Sequence, residues 1–166
     1  VYEHISATLA AEERTDTDMP PVFKVHDAYT HTDRGDALLP LSATAGAIYL
    51  IRNPLDVVPS FAHHSASSID NTIARMADPA HAFVSNPKRL HNQLRQRLLT
   101  WSGHVESWTT VPGLRIIVVR YEDLVADTER WLGRVVEFLR VPVEASRIAR
   151  AVEHSRFDVL QAQEAE

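Results

Sequence analysis

Cysteine is absent from this chain, so disulfides, thiol catalysis and cysteine-held metals are excluded at once. Glycine is scarce, and the five glycines, at positions 35, 46, 103, 113 and 133, never cluster. A Walker loop and a dinucleotide fingerprint both need closely spaced glycines, so neither motif is present. Lysine is scarcer still: two of the 17 basic residues are lysine, which leaves fifteen arginines. No apolar run approaches the roughly 20 residues of a membrane-spanning helix, and no membrane partner is expected. The net charge of −5 disfavours a general binder of nucleic acid or anionic membrane, although it leaves room for a local basic pocket. Metal-protease spacing of the HExxH kind is also missing. His26 and His31 lie five apart in a loop, His63 and His64 fall on different helical faces, and no metal is expected. No signal-peptide pattern opens the sequence, which starts at Val1, and a cytoplasmic location is the expectation.

What is present is an ordinary globular composition, 45% hydrophobic and 23% charged, over 166 residues, enough for one domain with a sizeable core. Val1 to Leu9 has the look of a helix end, and Thr15 to Pro21 reads as a polar loop. Val22-Phe23-Lys24-Val25 is a short strand candidate, followed by His26 and a polar loop. Ala47-Ile48-Tyr49-Leu50-Ile51 is continuously apolar, as in a parallel strand covered on both faces. Asn53-Pro54 then opens a helix, because asparagine caps well and proline at the first helical position loses no needed bond. Pro59 should bend that helix. Ser65 to Asn92 lacks a firm period and reads as loop and broken helix, the segment expected to be mobile or to face a substrate. Leu94, Leu98, Trp101, Val105 and Trp108 recur at helical spacing. Arg115 to Arg120 is β-branched enough for a strand, Asp127 caps a helix with Leu132, Val135, Val136 and Leu139 on its core face, and a last helix runs from about Val143 to His154. This alternation predicts an α/β sandwich with a mostly parallel sheet.

Open parallel sheets bind ligands at the carboxyl ends of their strands. Three groups fall there: Lys24 with His26, Arg52 with Asn53, and Tyr121 with Glu122 and Asp123. Arg52, Asp56 and Ser60 step by four and form one helical stripe. Two readings of it stand open. Arg52 either pairs with Asp56 as surface structure, or reaches with the Ser60 hydroxyl toward an anion. His26 is likewise either one more surface histidine of nine or a general base just past a strand. Trp101 and Trp108 read as core.

Taken in order, these pieces resemble the PAPS-dependent sulfotransferase family, whose donor is 3′-phosphoadenosine 5′-phosphosulfate. Phe23-Lys24-Val25-His26 resembles its catalytic "KTH" segment, with valine in place of threonine. Ile48 to Phe61 resembles its 3′-phosphate motif, Trp101 to Trp108 its tryptophan-rich helix, and Arg120-Tyr121-Glu122-Asp123-Leu124 its "YEDL" segment. His154-Ser155-Arg156-Phe157 resembles a stretch that touches the adenine. The resemblance runs from about Val22 to Leu160 within a single domain spanning 1–166.

It implies the P-loop-NTPase-like three-layer fold of that family and a sulfuryl transfer to a hydroxyl or amine, with His26 as base and Lys24 as its cationic helper. Arg52 and Ser60 would hold the 3′-phosphate, and Tyr121, Ser155 and Phe157 would border the adenine. The product is adenosine 3′,5′-bisphosphate (PAP). The partner implied is a small hydroxylated acceptor, and a homodimer is compatible with it. The family's phosphosulfate loop would precede Val1 and its "RKG … GDW" segment would follow Glu166, so the resemblance is to the middle of a sulfotransferase. That departure keeps two rivals in play, a nucleotide-binding module without catalysis and a phosphate-transferring kinase of related fold. The arginine-rich composition points to a bacterial enzyme of natural-product biosynthesis, with a phenolic compound as one acceptor.

Overall fold

The computed structural model describes residues 21–32, 34–84 and 95–164. The predicted helix end at Val1–Leu9, nearly all of the Thr15–Pro21 loop, and Leu94 lie outside them. The chain divides into two compact units, one from Val1–Ala47 and Asn53–Ile116, the other from Ile48–Arg52 and Ile117–Glu166.

In the first unit, Val22 to Val25 joins no ladder, and Val22 and Phe23 are exposed. The predicted strand is therefore a lead-in, and among the described residues the first buried ones are Asp27 and Ala28. Helix α1, Pro54–His64, starts where the Asn53–Pro54 pair requires: the Leu55 amide donates to Asn53 Oδ1 at 3.0 Å. Pro59 is accommodated inside it, and Val58 and Ala62 form its buried side. The region predicted as broken helix holds α2, Ile69–Met76, capped by Ser68, whose Oγ accepts from the Asn71 amide at 3.2 Å. An Asp78 turn follows, and then the short strand β2, Ala82–Phe83.

Strand β3, Gln96–Arg97, pairs antiparallel with β2, Ala82 opposite Arg97 and Phe83 opposite Gln96. This corrects the helix predicted from Leu94 onward. Leu99 adopts φ 61°, a left-handed turn that breaks any helical run, and helix α3 begins only at Trp101 and ends at Thr109. Thr100 caps it through the Gly103 amide at 2.9 Å. A Cβ at Gly103 would meet that same Thr100 oxygen at 2.9 Å, so glycine keeps the cap in place.

Strands β1, Ala47–Ile51, and β4, Ile116–Arg120, are neighbours in a two-stranded sheet. The Ala47 amide donates to the Arg115 carbonyl at 2.9 Å, so the strands start side by side and run in parallel. Val119 is the buried residue of β4, while Leu50 and Val118 are exposed. The cover on both faces predicted for Ala47–Ile51 therefore fails at Leu50. In the second unit β4 runs directly into α4, Tyr121–Ala126, then α5, Thr128–Phe138, α6, Ala145–His154, and α7, Phe157–Glu164, each helix packed on the next. Asp127 caps α5 as its sequence predicts, accepting from the Arg130 amide at 3.1 Å. Among the described residues no helix is long and apolar enough to cross a membrane.

Candidate functional site

In the first unit, Lys24 and His26 are exposed at the end of the lead-in, and Ser60 is exposed on α1. The His26 ring stands edge-on to Phe83, centroids 6.3 Å apart, and Phe83 in turn meets the rings of His81 and Phe61, each at 5.9 Å. Beyond the ring, the backbone around His26 is held tightly. The His26 carbonyl accepts from His104 Nε2 at 3.1 Å, and the Asp27 carbonyl accepts from Trp108 Nε1 at 3.0 Å. The Ala28 amide donates to the Arg97 carbonyl at 2.8 Å, and the Tyr29 amide donates to Ser107 Oγ at 3.0 Å. The buried Asp27 carboxylate accepts from the Arg97 amide at 2.8 Å.

Burial pushes the His104 imidazole below the ordinary histidine range, against smaller upward pulls from its bond to His26 and from Asp27. A carbonyl can only accept, so the neutral ring carries its hydrogen on Nε2. His81 is also pushed down, first by burial and then by Arg75, with Asp78 opposing.

The second unit carries the other predicted residues. Arg52 follows β1 and Tyr121 follows β4, so the parallel pairing sets both at one end of the sheet. The Arg52 guanidinium lies 4.5 Å over the centre of the Tyr121 ring. At the α6–α7 junction, Ser155 Oγ donates to the Val152 carbonyl at 3.1 Å, and Phe157 is 79% exposed. Between them Arg156 grips Asp158 with two hydrogen bonds of 2.8 and 3.1 Å and approaches Glu153 at 3.5 Å. The hydrogen bond to Asp158 raises the guanidinium pKa and lowers that of the carboxyl. Tyr49 in β1 is pushed up to about 12 by burial. Among the described residues no three histidine, aspartate or glutamate side chains are grouped to hold a metal ion.

A family model described as "Sulfotransferase domain" matches residues 19–166. The chain belongs to the sulfotransferase family. Its curated relatives include Sulfotransferase 2B1 of Rattus norvegicus, 29% identical over 125 residues, covering 73% of this chain and 34% of that protein. The Homo sapiens Sulfotransferase 2B1 is 27% identical, covering 73% of this chain and 32% of that protein. The chain thus spans about a third of the length of these relatives. Both are mammalian, so the bacterial expectation rests on composition alone. A crystal structure of mouse sulfotransferase SULT7A1 complexed with PAP matches with a TM-score of 0.55 at 19% identity, over 71% of this chain and 40% of that one. That likeness establishes the α/β sulfotransferase fold.

Sequence reading singled out Lys24, His26, Arg52, Ser60, Tyr121, Ser155 and Phe157. The structure brings Arg52 and Tyr121 into contact, and keeps Lys24 and His26 at neighbouring positions on one exposed segment. It adds Asp27, His104 and Ser107, which sequence reading passed over. A signal for two of them was available: His104, Ser107 and Trp108 are spaced i, i+3, i+4, so two polar groups share a helix face with a tryptophan.

Proposed function

We propose that this chain carries the catalytic and donor-binding residues of a PAPS-dependent sulfotransferase acting on a hydroxyl, or an amine, of a small acceptor. His26 takes the acceptor proton as the acceptor oxygen bonds to sulfur and the bond from sulfur to the 5′-phosphate breaks, leaving PAP. An unprotonated imidazole nitrogen at an exposed position can accept the proton of an acceptor hydroxyl. Lys24, two residues earlier, offsets negative charge as it builds on the leaving phosphate. Arg52 and the Ser60 hydroxyl hold the donor's 3′-phosphate by charge-assisted hydrogen bonds. Tyr121, Ser155 and Phe157 border the adenine.

The observation that carries this reading is the Arg52 guanidinium stacked on Tyr121 at the carboxyl ends of two parallel strands. Stacking holds one face of the guanidinium and leaves its in-plane donors directed outward, the geometry a phosphate needs. The exposed Phe157 ring supports an adenine contact, since an open aromatic face can stack on a base.

Calorimetric titration of the complete protein with PAP tests the donor half. Arg52→Ala is expected to weaken binding by at least about tenfold, the scale of one charge-assisted hydrogen-bonded contact. Unchanged affinity would remove Arg52 from the site.

A further inference from the structure

We infer that His104 is a positioning residue for sulfuryl transfer, acting through the backbone carbonyl of His26. The inference rests on His26 as the base, and it adds a group that holds the base without touching either substrate.

Four successive residues after Val25 each have one backbone group bonded to another element. His26 and Asp27 present carbonyls to α3, Ala28 presents its amide to Arg97 of β3, and Tyr29 presents its amide to α3 again. Three side chains on one face of α3 supply the partners: His104, Ser107 and Trp108. Ser107 is itself tied to its helix, its hydroxyl donating to the His104 carbonyl at 2.7 Å. An exposed loop rarely needs so many long-range bonds to stay folded, because water satisfies its backbone equally well. Their concentration on the residues from His26 onward is the observation to be explained.

The three partners differ in what they fix. Trp108 and Ser107 hold Asp27 and Tyr29, which are buried or half-buried, and so serve the core. His104 alone grips the His26 peptide. That peptide plane sets the direction of the His26 side chain, whose lead-in, Val22 to Val25, is exposed and joins no ladder. On the other side Phe83 meets the His26 ring edge-on. The carbonyl bond restrains the backbone from which the imidazole projects, and the Phe83 edge borders one side of the ring. His104 cannot serve as a second base through Nε2, because that nitrogen donates to the His26 carbonyl. Asp27 and His26 are among the charged or titratable groups acting on it.

The test is a double-mutant comparison in the complete protein, with steady-state turnover and PAP affinity both measured. His104→Phe keeps the ring and removes the donor. It is expected to lower kcat by about tenfold or more, the scale on which small displacements of a catalytic group act, with acceptor KM and PAP affinity unchanged. His104→Gln restores most of the rate, because its amide nitrogen reaches the Nε2 position, whereas His104→Asn is too short and does not. In a His26→Ala background, His104→Phe has no further effect. Equal losses in the two backgrounds would overturn the inference, as would a loss confined to KM or PAP affinity, or Gln no better than Asn. The Gln and Asn pair decides alone if His104→Phe does not fold. Near-normal turnover in His26→Ala by itself would instead strike down the base assignment, a result separate from anything His104 does.

Discussion

The two compact units hold their candidate residues by different physics. Around His26 the groups are directional and long-range: a half-buried histidine and a buried tryptophan bond the His26 and Asp27 carbonyls, and the buried Asp27 carboxylate bonds the Arg97 amide. Around Phe157 they are exposed and local, an arginine between two carboxylates a few residues away. Buried hydrogen bonds specify geometry because leaving one unmade is costly, whereas surface ion pairs are screened and contribute little. The contrast assigns rigidity to the part proposed to aim a proton acceptor. The part proposed to border the adenine keeps an open aromatic face instead.

That contrast can be broken most severely at Trp108. Trp108→Ala should cost about 3–5 kcal/mol, the usual range for removing a buried aromatic, read as a drop in urea midpoint. A loss under 1 kcal/mol would mean that α3 does not anchor the His26 segment. The two helix caps provide a matched pair, one in each unit. Thr100→Ala and Asp127→Ala should each cost about 1 kcal/mol of stability, but only Thr100→Ala should also lower turnover, because α3 carries His104. Equal effects on turnover would erase the distinction between the units.

A pH series sharpens the same point. Burial lowers the pKa of His104 and of His81, so the folded state favours their neutral forms. Their contribution to stability is complete above the ordinary histidine value of about 6.5. It is lost as pH falls below that value toward the lowered one. Unfolding midpoints should therefore drop between pH 7.5 and 5.5, and the drop should be shallower in His104→Gln. Identical slopes would contradict the burial argument. The smallest effect belongs to Arg156→Ala, which should leave the melting temperature unchanged, since both partners sit in water.

Much of the fold was legible because it is written locally. Asn53 and Pro54 set a helix start from their own chemistry, Asp127 does the same, and the β-branched run at 116–119 makes a strand in almost any context. The stretch before α3 was not legible. Leu94, Leu98, Trp101, Val105 and Trp108 share a helical period, yet Gln96 and Arg97 are taken by a strand partner at Ala82 and Phe83, and Leu99 turns left-handed without being glycine. A period of apolar residues carries no information about a strand partner earlier in the chain, at Ala82 and Phe83. The site divides in the same way. Of the residues named from motif resemblance, Arg52, Tyr121, Ser155 and Phe157 sit at strand and helix ends, where local sequence is informative. His104 and Asp27 acquire their roles only through contacts 70 to 81 residues apart in the chain.

The central claim is that His26 is the proton acceptor in sulfuryl transfer, and one measurement addresses it directly. Turnover of His26→Ala in the complete protein is compared with the parent protein, with labelled donor and a panel of hydroxylated acceptors, alongside PAP calorimetry. The account predicts a fall in kcat of about 10²-fold or more, as expected for loss of a general base, with PAP affinity unchanged. Turnover close to that of the parent protein would contradict it.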